Sequence, residues 1–202
     1  MFSPVIQTAP VLRKPMICEA EVGELACHYG APLRRVFSVP ADEYIRAYRW
    51  RADCDRRAEV VFAIQDATGR LWLHAKAHYP SHLCRLPSGG IGWDETVQQA
   101  LVREVDEETG LSVQISRFLG LIEYRFQHAG SVVKFASYIF HLYCGSCLPT
   151  VQAGEEISCF RAISPCQLSQ ITVDMRNMLG DRRGWGQWRA LAHDLVYDAL
   201  TR

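Results

Sequence analysis

Between Gly89 and Leu111 the chain reads GGIGWDETVQQALVREVDEETGL, a glycine-rich loop followed by a helix-forming run. Glycines at 89 and 90 permit a positive φ and a close approach of the backbone to a neighbouring group. The run from Glu95 to Thr109 predicts a helix, with Asp94 placed to cap its start. Gly110 stands where a left-handed residue commonly ends a helix. The stretch therefore predicts a loop joined directly to a helix.

Three glutamates make this helix unusual. Glu104, Glu107 and Glu108 stand at i, i+3 and i+4, so they share one helix face. Like charges at these spacings destabilise an isolated helix by about a few tenths of a kcal/mol per pair, and the helix dipole disfavours anions at its C-terminal end. A divalent cation would offset both effects because Mg²⁺ and Mn²⁺ prefer carboxylate oxygens. The pattern favours a metal site over a solvated acidic helix.

The spacing of these residues matches a known signature. Gly89, Glu95 and the run from Arg103 to Leu111 fill every fixed position of the Nudix box, G-x5-E-x7-R-E-U-x-E-E-x-G-U. The chain thus resembles the Nudix hydrolases. The resemblance implies an α+β fold, a Nudix α/β/α sandwich with a mixed β-sheet, and a bound Mg²⁺ or Mn²⁺. Its implied metal ligands are Glu104, Glu107, Glu108 and the backbone of Gly89.

The same resemblance implies a reaction, the hydrolysis of a nucleoside diphosphate linked to another moiety. Water attacks a phosphorus of the diphosphate, and the metal neutralises the phosphate oxygens. Arg103 would orient a neighbouring carboxylate by a bidentate contact that Lys could not reproduce. The general base stays open between Glu104 and an acidic residue of the Glu155-Glu156 pair. The expected catalytic residues are Glu104, Glu107, Arg103 and Glu156.

A nucleotide-type diphosphate substrate would need cationic and aromatic contacts. Lys76, His78, His82 and Arg85 crowd the approach to the glycine loop, which suits an anionic ligand. Tyr124 could stack on a base, although aromatic residues on strands are more often part of a core. The expected substrate-binding residues are Lys76, Arg85, Gly90 and Tyr124. The identity of the substrate stays open.

The remaining chain reads as strands, helices and an irregular start. Pro4, Pro10, Pro15, Pro32 and Pro40 interrupt residues 1–40, with one short helix near 19–28. These features predict an N-terminal extension over residues 1–55 and a Nudix domain over residues 56–202. Within that domain we expect a hairpin of strands 59–64 and 71–76, long strands 113–126 and 132–143, and a C-terminal helix over 185–200 that packs on the core.

Composition limits the other function classes. The chain has 202 residues with 22 Lys plus Arg and 22 Asp plus Glu, a balance that argues against stable nucleic-acid binding. No run approaches the ~18 apolar residues of a membrane span, and the start does not resemble a signal peptide. We expect a cytoplasmic protein without membrane contact, with a homodimer as one option. Cys144 and Cys147 form a C-x-x-C pair, interpreted as ordinary thiols because no second pair completes a zinc site.

Two alternatives belong to other classes. A Nudix-fold sensor would bind ADP-ribose or another nucleotide without cleaving it, but such regulators usually lose the carboxylates that this chain keeps. An isopentenyl diphosphate isomerase-like protein would use a pocket cysteine and a glutamate. Cys84, near the glycine loop, is the residue that keeps this second alternative open.

Overall fold

A seven-stranded mixed sheet forms the centre of the computed structural model, which describes residues 14–50, 56–80 and 83–202. The strand order is β1-β5-β6-β2-β3-β7, and β4 pairs with β2 outside this path. Strands β1 and β5, and β2 and β6, run parallel, whereas the other pairs are antiparallel. The strands are β1 (Leu33–Pro40), β2 (Ala58–Gln65), β3 (Leu71–Lys76), β4 (Ser88–Ile91), β5 (Gln114–His128), β6 (Ser131–Tyr143) and β7 (Ile157–Ile163).

Helices cover both faces of this sheet. Residues of α1 and α3 pack in a core on one face, and residues of α2, α4 and α5 pack in a second core on the other. This arrangement confirms the predicted α+β sandwich with a C-terminal helix. The helices are α1 (Glu19–Tyr29), α2 (Glu43–Arg49), α3 (Val97–Thr109), α4 (Leu168–Arg176) and α5 (Arg183–Thr201), with short 3₁₀ turns at Pro165–Gln167 and Gly180–Arg182.

Strand β2 explains the continuous apolar run in the sequence. Val60 and Phe62 belong to the core under α3, whereas Val61 and Ala63 belong to the core under α5. A strand buried on both faces needs apolar residues at successive positions, because its side chains alternate between the faces. The predicted hairpin with β3 is present as an antiparallel pair.

The start of α3 differs from the prediction. The N-cap is Thr96 and not Asp94, because the Thr96 hydroxyl accepts a hydrogen bond from the Gln99 backbone amide at 3.1 Å. The Gln99 side chain accepts the Thr96 amide in return at 2.9 Å, which completes a capping box. The expected left-handed end is present at Gly110, with φ of 63°.

The N-terminal segment is more regular than its prolines indicated. Instead of an irregular stretch, residues 33–40 form the edge strand β1 and residues 43–49 form α2. Pro32 precedes β1 and Pro40 ends it, positions where a missing amide does not interrupt an inner ladder. Pro4 and Pro10 lie outside the described residues. Strand β1 belongs to the same sheet as the strands that follow residue 56. The domain boundary between residues 55 and 56 stays a prediction.

Helix α1 also contacts the loop and helix of the glycine-rich segment. Glu21 accepts the backbone amide of Val97, the first residue of α3, at 2.7 Å. Its other carboxylate oxygen pairs with the buried guanidinium of Arg57 at 2.9 Å. Arg57 donates in turn to the backbone carbonyl of Glu95 at 3.0 Å.

Within the described ranges, no helix is long and apolar enough to cross a membrane.

We expect Gly186→Ala to destabilise the fold, because a Cβ at Gly186 would overlap the backbone carbonyl oxygen of Met175 in α4. The cost of such overpacking is about 1–3 kcal/mol. Gly23→Ala in α1 is the matched control, since open space surrounds Gly23 and a helical Gly→Ala change should add about 0.5–1 kcal/mol. Urea unfolding measures both changes. Equal stability of the two variants would contradict this account of the α4–α5 contact.

Candidate functional site

A cavity of about 280 Å³ lies between the sheet, the glycine loop and helices α2 and α5. Of the residues predicted from the sequence, five line it: Lys76, His78, Arg85, Gly89 and Glu156. Its charged lining is mainly cationic, with Arg56, Lys76, Arg85 and Arg189 against Glu59 and Glu156. Aromatic rings form much of the remaining wall: Tyr44, Tyr48, Tyr79 and Trp185.

The glycine pair lies directly against two functional side chains. A Cβ at Gly89 would overlap the carboxyl group of Glu104, so only glycine allows that carboxylate to lie on the backbone. A Cβ at Gly90 would come within 2.9 Å of the guanidinium carbon of Arg56. Close approach, and not a positive φ, is therefore the reason for glycine at position 89.

Arg103 connects this loop to α3. Its Nε and Nη2 donate to the two carboxylate oxygens of Glu95 at 2.8 and 2.9 Å. Its Nη1 donates to Glu104 and to Glu107, each at 2.8 Å. Nη2 also donates to the Gly90 carbonyl at 2.9 Å. One guanidinium thus orients three carboxylates and the loop, and it lowers the pKa of Glu95.

Glu108 occupies a different environment on the same helix face. It is only 2% exposed, with Lys76 Nζ at 3.2 Å and the His74 ring nitrogen at 3.5 Å. Burial raises the pKa of Glu108 to about 7, and the charge of Glu104 adds to this effect. Burial also lowers the pKa of His74 well below its ordinary value, so this ring is neutral. Glu108 Oε2 has no hydrogen-bond partner.

These features fit a divalent cation in part of the predicted ligand set. The charge of Glu104 acts on Glu108, and the Glu104 carboxyl lies against the backbone of Gly89. The Glu108 oxygen without a hydrogen-bond partner is available as a metal ligand. Glu107 is about half exposed and held by Arg103. Within the part of the chain that the structure describes, no three Asp, Glu, His or Cys side chains converge at metal-binding spacing. Two effects keep these carboxylates apart: without a cation they repel each other, and Arg103 holds Glu104 and Glu107 by hydrogen bonds.

Other predicted residues lie farther from this centre. Tyr124 is a correction: it is 1% exposed and packs against Phe126 and Trp188 in the core, so it does not line the cavity. Glu156 lies exposed at the cavity rim, 3.2 Å from His78. Burial raises the pKa of Cys144, and Cys147 is exposed; both are free thiols. His82 lies outside the described residues.

Sequence reasoning missed a charged pair in the cavity wall. Glu59 on β2 and Arg189 on α5 form a buried ion pair, with the guanidinium Nη1 2.8 Å from both carboxylate oxygens. The Ser137 hydroxyl also donates to Glu59, at 2.6 Å. The available signal was a charge inside an apolar stretch, Glu59 before Val60 and Arg189 between Trp188 and Ala190. Such charges are rarely buried unless they are paired.

We expect Glu108→Gln to stabilise the metal-free protein at high pH. The pKa of Glu108 is about 7 in the folded state against an ordinary value of 4.5, so the folded protein binds the extra proton between these values. The wild type therefore loses stability as pH rises through this window, up to about 3 kcal/mol, and the variant does not. Urea unfolding in EDTA from pH 5 to 8.5 measures the difference.

Glu107→Gln is the control for this measurement because its carboxylate is about half exposed. Its stability relative to the wild type should not follow the same pH profile. A Glu108→Gln variant that is less stable than the wild type at pH 8 would contradict the high pKa of Glu108.

Several solved structures are similar to this chain at low sequence identity. A MutT Nudix hydrolase from Burkholderia pseudomallei is 20% identical, with a TM-score of 0.46 over 69% of this chain and 96% of that one. A Nudix hydrolase from Nitrosomonas europaea is 18% identical, with a TM-score of 0.49 over 70% and 88%. The Nudix domain of Shewanella oneidensis NrtR, complexed with ADP-ribose, is 13% identical, with a TM-score of 0.48 over 79% and 99%.

No curated protein matches the chain significantly. The family model for the NUDIX domain, in contrast, matches residues 55–180. This range contains the glycine loop, helix α3 and all strands except β1. Because the match spans more than half of the chain and includes the carboxylates gathered around Arg103, the protein belongs to the Nudix family.

Proposed function

We propose that this protein is a metal-dependent hydrolase that cleaves the diphosphate bond of a nucleoside diphosphate linked to another moiety. The observation that carries the proposal is the position of Glu104 on Gly89, beside the buried Glu108, where the loop borders a cationic cavity. Carboxylates at this point can hold a cation while the cavity holds an anionic substrate. In this proposal the site for the metal and the site for the substrate therefore adjoin each other.

Glu104, Glu108 and the backbone at Gly89 would hold Mg²⁺ or Mn²⁺ in this proposal. The bound metal would neutralise phosphate oxygens and lower the pKa of the attacking water. Arg103 keeps Glu104 in place through its 2.8 Å hydrogen bond. Glu107 shares Arg103 with Glu104, so we assign it an outer role at the same site.

The cations of the cavity would bind the diphosphate. Arg85 is held by the Tyr79 hydroxyl at 2.6 Å and by the Ser88 hydroxyl at 2.8 Å, so its orientation is preset. Lys76 lies between Glu108 at 3.2 Å and Glu155 at 3.7 Å. Fixed cations in a concave site raise the local concentration of an anionic substrate even when the whole protein has no net charge.

Two carboxylates are candidates for the general base. Glu104 is largely buried, and burial raises its pKa, which moves it toward the range of an effective base at neutral pH. Glu156 lies at the rim, within reach of solvent and of His78. The pH profiles of kcat of Glu156→Gln and Glu104→Gln separate the two candidates. The variant that lacks the general base should lose the rise in kcat that accompanies deprotonation of that base.

The two alternatives differ in what the site would have to do. An isomerase would need Cys84 in the cavity, but Cys84 lines a separate cavity of about 140 Å³ with Arg161 and Asp174. A nucleotide sensor would need the cavity without turnover. It remains the second candidate, and the activity test below decides it.

We expect metal-dependent cleavage of at least one compound in a panel of ADP-ribose, NADH, dinucleoside polyphosphates, nucleotide sugars and nucleoside triphosphates. Glu104→Gln and Glu108→Gln should each lower kcat by about two orders of magnitude or more and leave the fold intact. Product analysis by chromatography and far-UV circular dichroism measure the two properties.

Asp106→Asn is the control for these variants, since Asp106 is exposed on the opposite side of α3 from Glu108. Tight binding of one panel compound without any cleavage would reject the hydrolase and support the sensor. Loss of folding in both glutamine variants would instead assign these glutamates a structural role.

We also expect Gly89→Ala to lower kcat strongly, because the added Cβ would displace the Glu104 carboxylate. Gly92→Ala, in the same loop, should retain near wild-type kcat because its Cβ meets Glu95 only at 3.6 Å. Steady-state kinetics with the best panel compound compares the two. Equal activity would mean that Glu104 does not need its position on the loop.

A further inference from the structure

Arg189 lies on α5, beyond the residues 55–180 that match the family model. Its side chain is nearly buried, and the residue is 8% exposed while lining the cavity. Only Nη1 contacts Glu59, where it donates to both carboxylate oxygens at 2.8 Å. Its Nε is buried without a hydrogen-bond partner. The guanidinium also lies over the Trp188 ring, 4.0 Å from its centroid, and part of it makes no hydrogen bond to the residues that the structure describes.

A second buried guanidinium shares the same carboxylate. Arg49 of α2 lies over the Phe135 ring at 3.5 Å, and burial lowers its pKa to about 10. Burial alone would raise the pKa of Glu59, but the charges of Arg189 and Arg49 lower it, so Glu59 is ionised. Two guanidinium groups thus face one carboxylate. Counting only the residues that the structure describes, this cluster holds two positive charges and one negative charge.

An excess charge in a buried cluster is costly without a counter-ion. Among the described residues that line the cavity, the other carboxylate is Glu156, which is exposed at the rim and pairs with His78. Arg85 adds further positive charge to the same cavity. Among the described residues that line the cavity, cationic side chains therefore outnumber carboxylates, and this imbalance fits a ligand with more than one negative charge.

We propose that Arg189 binds a phosphoryl group of the substrate, so that the C-terminal helix supplies a substrate contact to the site. Guanidinium groups bind phosphate with directed, charge-assisted hydrogen bonds. Glu59 holds Arg189 in the wall through Nη1, so the donors of Nη2 would be the ones that contact this ligand. The inference rests on the proposed diphosphate substrate and adds a binding residue from outside the family match.

Titration of metal-free protein with inorganic pyrophosphate in EDTA tests this proposal. We expect isothermal calorimetry to show binding by the wild type, and Arg189→Met to weaken it by about tenfold or more. Arg176→Met is the matched control, since Arg176 forms an exposed ion pair with Asp194 on α5 and lies outside the cavity. That variant should bind pyrophosphate like the wild type.

Arg189→Lys covers the case in which Arg189→Met does not fold. It keeps a positive charge beside Glu59 but loses the planar fork, so we expect a folded protein with about threefold or more weaker binding. Thermal melting followed by circular dichroism reports the folding of each variant. Wild-type affinity in every folded Arg189 variant, or no pyrophosphate binding by the wild type, would overturn the proposal.

Two further binding measurements, competition by acetate and binding by Glu108→Gln, separate phosphoryl recognition from general anion binding and from turnover. Acetate, a single carboxylate, should not compete with pyrophosphate at equal concentration; equal competition would overturn the assignment to a phosphoryl group. Glu108→Gln should still bind pyrophosphate in EDTA although it lacks turnover. Arg189-dependent binding without hydrolysis of any panel compound would therefore reject the proposed function and leave the role of Arg189 standing.

Discussion

The site depends on one guanidinium. Arg103 makes five hydrogen bonds, which reach Glu95, Glu104, Glu107 and the Gly90 carbonyl. Because these partners come from the loop and from the helix, the bonds set the distance between the two elements. They also offset the repulsion among carboxylates that destabilises an isolated helix. A lysine in this place would keep the charge but not the several directed hydrogen bonds.

The cavity beside this centre depends on elements on both sides of the family match. Helix α2 contributes Tyr44 and Tyr48, and α5 contributes Trp185 and Arg189. The buried ion pair between Arg189 and Glu59 connects α5 to strand β2 of the sheet. The residues of the box are therefore combined with cavity walls that lie outside the range matched by the family model.

Local patterns predicted the regular elements well and the side-chain environments less well. The helix end at Gly110 follows from a glycine after an amphipathic run, and the double-faced burial of β2 follows from its apolar residues. Thr96 replaced Asp94 as the cap because Gln99 completes a reciprocal pair of hydrogen bonds with it. Strand β1 escaped prediction since its stability comes from pairing with β5, more than 80 residues away. Tyr124 was assigned to the substrate, but the packing of Trp188 against it decides its burial.

The sequence by itself determined the family, the helix with its face of glutamates and the glycine loop before it, because these depend on spacing over a few helical turns. Only the tertiary structure decided which carboxylates become buried. Glu108 and Glu107 are neighbours on one helix, yet one is enclosed by Lys76 and His74 and the other is about half exposed. Likewise, Glu59 and Arg189 are 130 residues apart. Desolvation and ion pairing depend on every segment that packs around a group, and no local pattern contains that information.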